Sequence, residues 1–191
     1  MPSPEYDLGY FEAGVDILDR YILSSDIYWP IGARPPGGEL PYPQLTLGGL
    51  LLAQARLRSR PLSSHLYTKY NSLEGEFNAI RSRWRVAWED KATNEFHARL
   101  FLWRDFLEDY RANHENNLDR YAYEVSRRVM LELLTPDAVQ IPQEEVELLE
   151  GLDKLLRTVF TPSEFVWDLE LAPGFPLQTY WYLYGGLSKA K

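Results

Sequence analysis

The chain has 191 residues, a formal net charge of −8 and 14% aromatic residues. A chain of this length can bury most of its surface in one domain, and its lack of cysteine excludes disulfides, thiol nucleophiles and cysteine-ligated metals. The acidic balance argues against a broad nucleic-acid interface, because such an interface needs clustered Lys and Arg.

Neither a secretory leader nor a membrane span is predicted. The N-terminal sequence MPSPEYDLGY lacks the basic stretch and apolar run of a signal peptide. The longest apolar run, LTLGGLLLA, is far shorter than a bilayer requires. We therefore expect a single cytoplasmic domain over residues 1–191, without membrane contact.

Two predicted helices flank a stretch that is rich in proline and glycine. Helical spacing of apolar residues predicts a first helix over residues 8–24 and a second from Thr46 to Ser59, which Pro61 ends. Connections as long as the intervening residues 26–45 are usually functional or disordered. We expect this segment, called the strap below, to cross the bundle as a rigid connection.

The most regular pattern of the chain lies over residues 72–113. Ten successive steps between apolar or small residues cover 37 residues there, which is a helical period. The pattern predicts one long central helix, or one that is slightly broken at Thr93 or Asn94. Oppositely charged residues four positions apart are predicted to face water, and they are Arg85–Glu89, Glu95–Arg99 and Arg104–Glu108.

The chain then turns back. Residues 113–117 resemble a tight turn, and a helix over residues 118–133 should run antiparallel to the central helix. After a loop, a last helix that opens with acidic residues is predicted to begin at Gln143.

The period changes near the C-terminus. Apolar residues alternate over residues 165–171, and an aromatic-rich stretch follows a proline-rich turn, so we predict a β-hairpin over residues 165–184. The rival interpretation begins a helix at Thr161, because TPSE matches a capping box. The predicted fold is mainly α, an antiparallel helical bundle built on the long central helix (about 72–113), with this aromatic hairpin packed on it.

Sequence motifs for catalysis are missing. His65, His97 and His114 are too scattered for a local metal signature, and the phosphate-binding glycine motifs and the G-x-S-x-G elbow do not occur. We therefore expect no cofactor and no metal, and the balance leans against an enzyme.

The first candidate site is the beginning of the second helix. Thr46, Gly48 and Gly49 could bring free N–H groups close to an anion, with Arg34 reaching in from the strap. In the alternative, which we favour, Thr46 only caps the helix and the glycines let it pack tightly.

The second candidate is the sequence RSRWRVAWED. Arg81 and Arg85 share a helix face beside Trp84 and Trp88, and could bind an anionic or planar ligand. In the favoured alternative, both tryptophans lie in the core and the arginines pair with Glu89 and its neighbours.

The third candidate is the C-terminal aromatic surplus. On a hairpin, Tyr180, Tyr182 and Tyr184 would share one face and Trp181 would point to the other, so both faces would be aromatic. One face would then be covered by another part of this chain, a second copy or a different protein, or the tyrosine face would stay exposed to water through its hydroxyls. The predicted interaction surface consists of Trp167, Phe175, Tyr180, Tyr182 and Tyr184.

These observations favour a non-catalytic protein-interaction or assembly subunit that self-associates, with the hairpin and residues 26–49 as contact surfaces. The partner would be a protein or a second copy. The alternative is a small-molecule binding protein or enzyme, with Arg34, Arg81 and Arg85 around an anionic or aromatic ligand between helices.

Overall fold

A computed structural model describes residues 2–35, 37, 39–113 and 117–187. Its helices pack against one another, so the predicted mainly helical class is confirmed. The α-helices of the described residues are α1 (Pro4–Leu23), α2 (Leu47–Ser59), α3 (Ser64–Arg83), α4 (Arg85–Ala112), α5 (Tyr121–Leu134) and α6 (Gln143–Val159).

Local capping explains where the first two helices begin. The Ser3 hydroxyl accepts a hydrogen bond from the Tyr6 N–H at 3.0 Å, and Pro4 occupies the first turn, so α1 begins four residues before the prediction. Thr46 caps α2 in the same way through the Gly49 N–H. The predicted bounds of α2 are confirmed.

The predicted central helix is divided in two at Trp84, rather than at Thr93 or Asn94. The backbone of Trp84 departs from helical geometry (φ −108°, ψ 35°), and its indole N–H donates to the Asp19 carboxylate on α1. The Thr93 hydroxyl donates to the Glu89 carbonyl within α4 and therefore caps no new helix. A contact with another helix thus decides the break.

The apolar stripe of the central region forms the core. Most of its members are buried, and they contact α1, α2 and α5: Phe77, Ile80, Trp88, Ala92, Phe96, Leu100, Trp103, Leu107 and Tyr110. Arg120 lies 5.9 Å from the Phe106 ring, and the Arg127 guanidinium donates to the Leu102 carbonyl at 3.1 Å. Because a later residue of α5 meets an earlier residue of α4, these helices are antiparallel, as predicted.

The predicted turn at residues 113–117 falls partly on residues 114–116, which lie outside the described residues. Within the strap, the main chains of Trp29 and Leu45 exchange two hydrogen bonds of 3.0 and 2.8 Å. None of the helices in the described ranges has the length and apolar character needed to cross a bilayer.

A two-stranded antiparallel hairpin forms at the C-terminal end, as predicted, but its strands flank residues 165–184. Strand β1 (Phe160–Pro162) pairs with β2 (Gly185–Leu187). The segment between them contains two short 3₁₀ helices, Leu169–Gly174 and Trp181–Leu183. Strands at 165–184 and a helix from Thr161 are therefore both wrong. A 3₁₀ turn interrupts the alternation after Asp168, whose carbonyl accepts from the Leu171 N–H, and Thr161 belongs to β1.

Candidate interaction surface

The predicted anion site at the beginning of α2 is filled by a carboxylate of the chain itself. The Gly48 N–H donates to Glu95, with 3.0 Å to each carboxylate oxygen. The Thr46 hydroxyl accepts from the Gly49 N–H at 3.0 Å and from the Arg99 guanidinium at 2.7 Å. Arg99 also donates to Glu95 at 2.6 Å. The positive end of α2 is thus neutralised internally.

Tight packing explains the glycine at position 48. A Cβ at Gly48 would lie 2.7 Å from a carboxylate oxygen of Glu95 and 3.0 Å from Nε of Arg99. The favoured alternative, in which Thr46 caps the helix and the glycines permit close packing, is therefore confirmed. Arg34 is exposed on the strap, and Arg99 is the arginine that contacts this helix end.

The prediction that Glu95 and Arg99 face water is wrong. Glu95 is 0% exposed and Arg99 is buried, because α2 begins directly over this face of α4 and supplies N–H groups that compensate the buried charge. The other two predicted pairs are more exposed, with 80% of the Arg85 side chain in solvent. Glu95 and Arg99 each precede a stripe residue, Phe96 or Leu100, and this spacing is the signal that sequence reasoning missed.

Lys91, one turn before Glu95, holds the beginning of the strap. Its ammonium group donates to the carbonyls of Ser24 and Asp26, both at 2.7 Å, and lies 4.5 Å from the Tyr21 ring centroid. Burial lowers the pKa of Lys91 below its usual value. This buried lysine was also missed by the sequence reasoning.

The arginines of the second candidate site are engaged by carboxylates. Arg81 pairs with Asp137 and lies 5.6 Å from the ring centroid of buried Trp88, whose indole N–H donates to the same carboxylate at 2.9 Å. Arg85 pairs with Glu89 at 2.8 Å. The Arg85–Glu89 pair and buried Trp88 match the favoured alternative, whereas Arg81 pairs with Asp137, 56 positions away, and Trp84 is only half-buried.

The aromatic residues of the third candidate do not form an exposed face. Trp167, Phe175 and Tyr182 are buried, while Tyr180 and Tyr184 are half-buried. The rings meet edge to face, with centroids 5.4 Å apart for Trp167–Phe175 and 5.1 Å for Phe175–Tyr180. Without strands at 165–184, the chain folds these rings over its own core. Of the alternatives that the sequence left open, coverage by another part of this chain is the one that these contacts match.

These rings instead support an exposed segment, residues 168–179, which we call the C-terminal loop. The Tyr184 hydroxyl donates to the Phe175 carbonyl at 2.8 Å, so this hydrogen bond anchors the middle of the loop. Gly174 packs so closely that a Cβ would lie 1.7 Å from the Ser59 hydroxyl oxygen at the end of α2. Leu169 and Leu177 remain 72% and 52% exposed. The loop thus presents two leucines on a fixed backbone.

A shallow groove of about 350 Å³ lies beside the C-terminal strand. It opens broadly to solvent, and its lining is largely apolar, with Leu118, Tyr121, Ala122, Val166, Gly186 and Leu187 among its residues. A second open depression, of about 380 Å³, lies at the helix break around Trp84 and Val86.

Among the residues that the structure describes, no three His, Cys, Asp or Glu side chains are grouped so that they could hold a metal ion. Comparison with protein-family models, with curated proteins and with solved structures finds no match for this chain.

Proposed function

We propose that the chain is a non-catalytic protein-interaction or assembly subunit that self-associates through its C-terminal segment, residues 160–187. The observation that carries this proposal is the C-terminal loop, which exposes Leu169 and Leu177 while the Tyr184 hydroxyl donates to its backbone at Phe175. Apolar side chains on an ordered backbone lose little conformational entropy on binding, so most of their burial contributes to association.

The size of this contribution suits a reversible interface. Complete burial of a leucine side chain contributes about 1.5–3 kcal/mol, and 72% and 52% of the two residues' surfaces are available. Each leucine is therefore expected to contribute about 1–2 kcal/mol per protomer.

The small-molecule alternative draws less support from the contacts. Arg81 and Arg85 pair with carboxylates, and Arg34 is exposed on the strap. Pairing of exposed arginines with neighbouring acids, as in Arg85–Glu89, also disfavours a broad nucleic-acid interface. The proposal keeps the cytoplasmic location expected from the sequence.

Light scattering during size exclusion, over about a hundredfold range of concentration, tests the proposal. The wild-type chain should reach at least twice the monomer mass of 22.3 kDa, and the double variant Leu169→Ser/Leu177→Ser should need at least about tenfold more protein to do so. Val86→Ser removes a residue that is 71% exposed on α4 and serves as the matched control. A wild-type mass of one chain throughout would contradict the proposal.

A further inference from the structure

We infer that two copies of this chain join through strand β2, which pairs antiparallel with β2 of a second copy around a two-fold axis at Gly186. This inference rests on the proposed self-association through residues 160–187 and adds a main-chain contact to the leucine contacts of the C-terminal loop. It starts from the main-chain groups of β2.

The hydrogen-bond phase of the hairpin determines which groups of β2 face outward. Thr161 pairs with Gly186, and Pro162 pairs with Gly185. The Ser163 N–H donates to the Tyr184 carbonyl at 3.1 Å in the same register. Hydrogen-bonded pairs alternate along an antiparallel ladder, so Thr161–Gly186 is the next hydrogen-bonded pair. Pro162 lies between the hydrogen-bonded pairs Ser163–Tyr184 and Thr161–Gly186. A residue at that position donates no N–H to the partner strand, so proline, which has no N–H, fits there.

The polar main-chain groups of Gly185 and Leu187 therefore point away from β1. Within the described residues, β2 pairs with β1 alone, and no third strand pairs with its other edge. The sequence of β2, Gly-Gly-Leu, contains no charge and no proline, which are the usual devices that protect a strand edge. This edge is therefore open to another strand.

A second copy of β2 matches this edge. Antiparallel pairing around Gly186 places each outward-facing Leu187 opposite Gly185 of the other copy, so both can form hydrogen-bonded pairs. The two Gly186 residues then occupy the closer, non-hydrogen-bonded position, and a Cβ built at Gly186 meets nothing within 4 Å. The register thus places the residue without a side chain where the two strands approach most closely.

Two-fold symmetry and the groove favour a second copy over an unrelated peptide. A strand of three residues offers few hydrogen bonds, but in a symmetric pair every contact occurs twice. The resulting four-stranded sheet is also more stable than an isolated two-stranded one, and the groove lined by Gly186 and Leu187 lies beside the strand that forms it.

Disulfide cross-linking tests the register, because the chain has no cysteine of its own. Gly186→Cys would bring two introduced sulfurs together across Cα atoms about 4.5 Å apart, within the range that disulfides span. Gly151→Cys, on an exposed turn of α6 where a Cβ also meets nothing within 4 Å, is the control. In a glutathione buffer, we expect at least tenfold more linked dimer for Gly186→Cys, measured on a non-reducing gel. Equal fractions for the two variants would overturn the inference.

A second pair of variants tests the strand edge itself. Leu187→Pro removes an outward-facing N–H and leaves the groups that face β1 intact, whereas Leu187→Ala keeps that N–H. Light scattering should show a weaker dimer, by tenfold or more, for Leu187→Pro relative to Leu187→Ala. If the wild type forms a dimer and Leu187→Pro dimerises as strongly as Leu187→Ala, the strand pairing is contradicted but the proposed self-association is not. A wild-type monomer at every concentration would contradict the proposed function as well.

Discussion

Replacing Glu95 by alanine removes the carboxylate that satisfies the beginning of α2. The variant leaves the buried Arg99 guanidinium without its charge partner and the Gly48 N–H without an acceptor. Breaking a buried ion pair from one side costs about 3–5 kcal/mol. Because Arg99 keeps its bond to the Thr46 hydroxyl, we expect a loss of about 4 kcal/mol in the free energy of unfolding.

Removing both charges should cost less than removing one. In Glu95→Leu/Arg99→Leu no buried charge is left uncompensated, and the main remaining penalty is the unsatisfied Gly48 N–H, about 1–3 kcal/mol. The double variant is therefore expected to be more stable than Glu95→Ala, although it differs from the wild type at one more position.

Urea unfolding followed by circular dichroism, with linear extrapolation to water, measures these free energies. Glu89→Ala is the control, because it removes the Arg85–Glu89 pair on the same helix, in which 80% of the Arg85 side chain is exposed, and should cost less than about 1 kcal/mol. Similar losses for Glu95→Ala and Glu89→Ala would refute the role assigned to the buried carboxylate.

Two further outcomes follow from packing and burial. Gly48→Ala should destabilise the fold by about 1–3 kcal/mol because its Cβ meets Glu95, whereas Gly75→Ala, at an open position of α3, should stabilise it by about 0.5–1 kcal/mol. Urea unfolding measures the sign of both changes in the free energy of unfolding. A Gly48→Ala variant more stable than the wild type would contradict the packing described for Gly48. Burial raises the pKa of Tyr182 well above its usual value. The contribution of Tyr182 to the free energy of unfolding is therefore complete below about pH 10. Above that pH it decreases by about 1.4 kcal/mol per pH unit, because this tyrosine ionises in the unfolded chain but not in the folded one. Tyr182→Phe should remove that dependence from unfolding free energies measured between about pH 9 and 11, and an unchanged slope would contradict it.

Helix positions could be predicted because local periodicity and caps determine them. Most of the stripe from Phe77 to Tyr110 is buried as its spacing predicts, and Thr46 caps α2. The break at Trp84 could not be predicted in this way. It depends on a bond to Asp19, 65 positions earlier, and no proline or glycine marks it.

The buried charges escaped prediction for a related reason. Pairs four residues apart, such as Arg85–Glu89 and Glu95–Arg99, look alike in sequence whether they face water or another helix. They differ in following or preceding the stripe residues, and the position of α2 decides which of these two flanks is buried. Similarly, the three-residue strands Phe160–Pro162 and Gly185–Leu187 are too short to show a period of their own.

The contacts of α4 with Ser24 and Gly48, on either side of the strap, also determine the order in which the chain can assemble. Lys91 bonds to Ser24 across 67 positions, and Glu95 bonds to Gly48 across 47. Closing such loops costs entropy before any contact compensates it. During synthesis, α1 and α2 therefore leave the ribosome before the residues that fix the ends of their connection. The N-terminal half completes its structure only after the middle of the chain has been made.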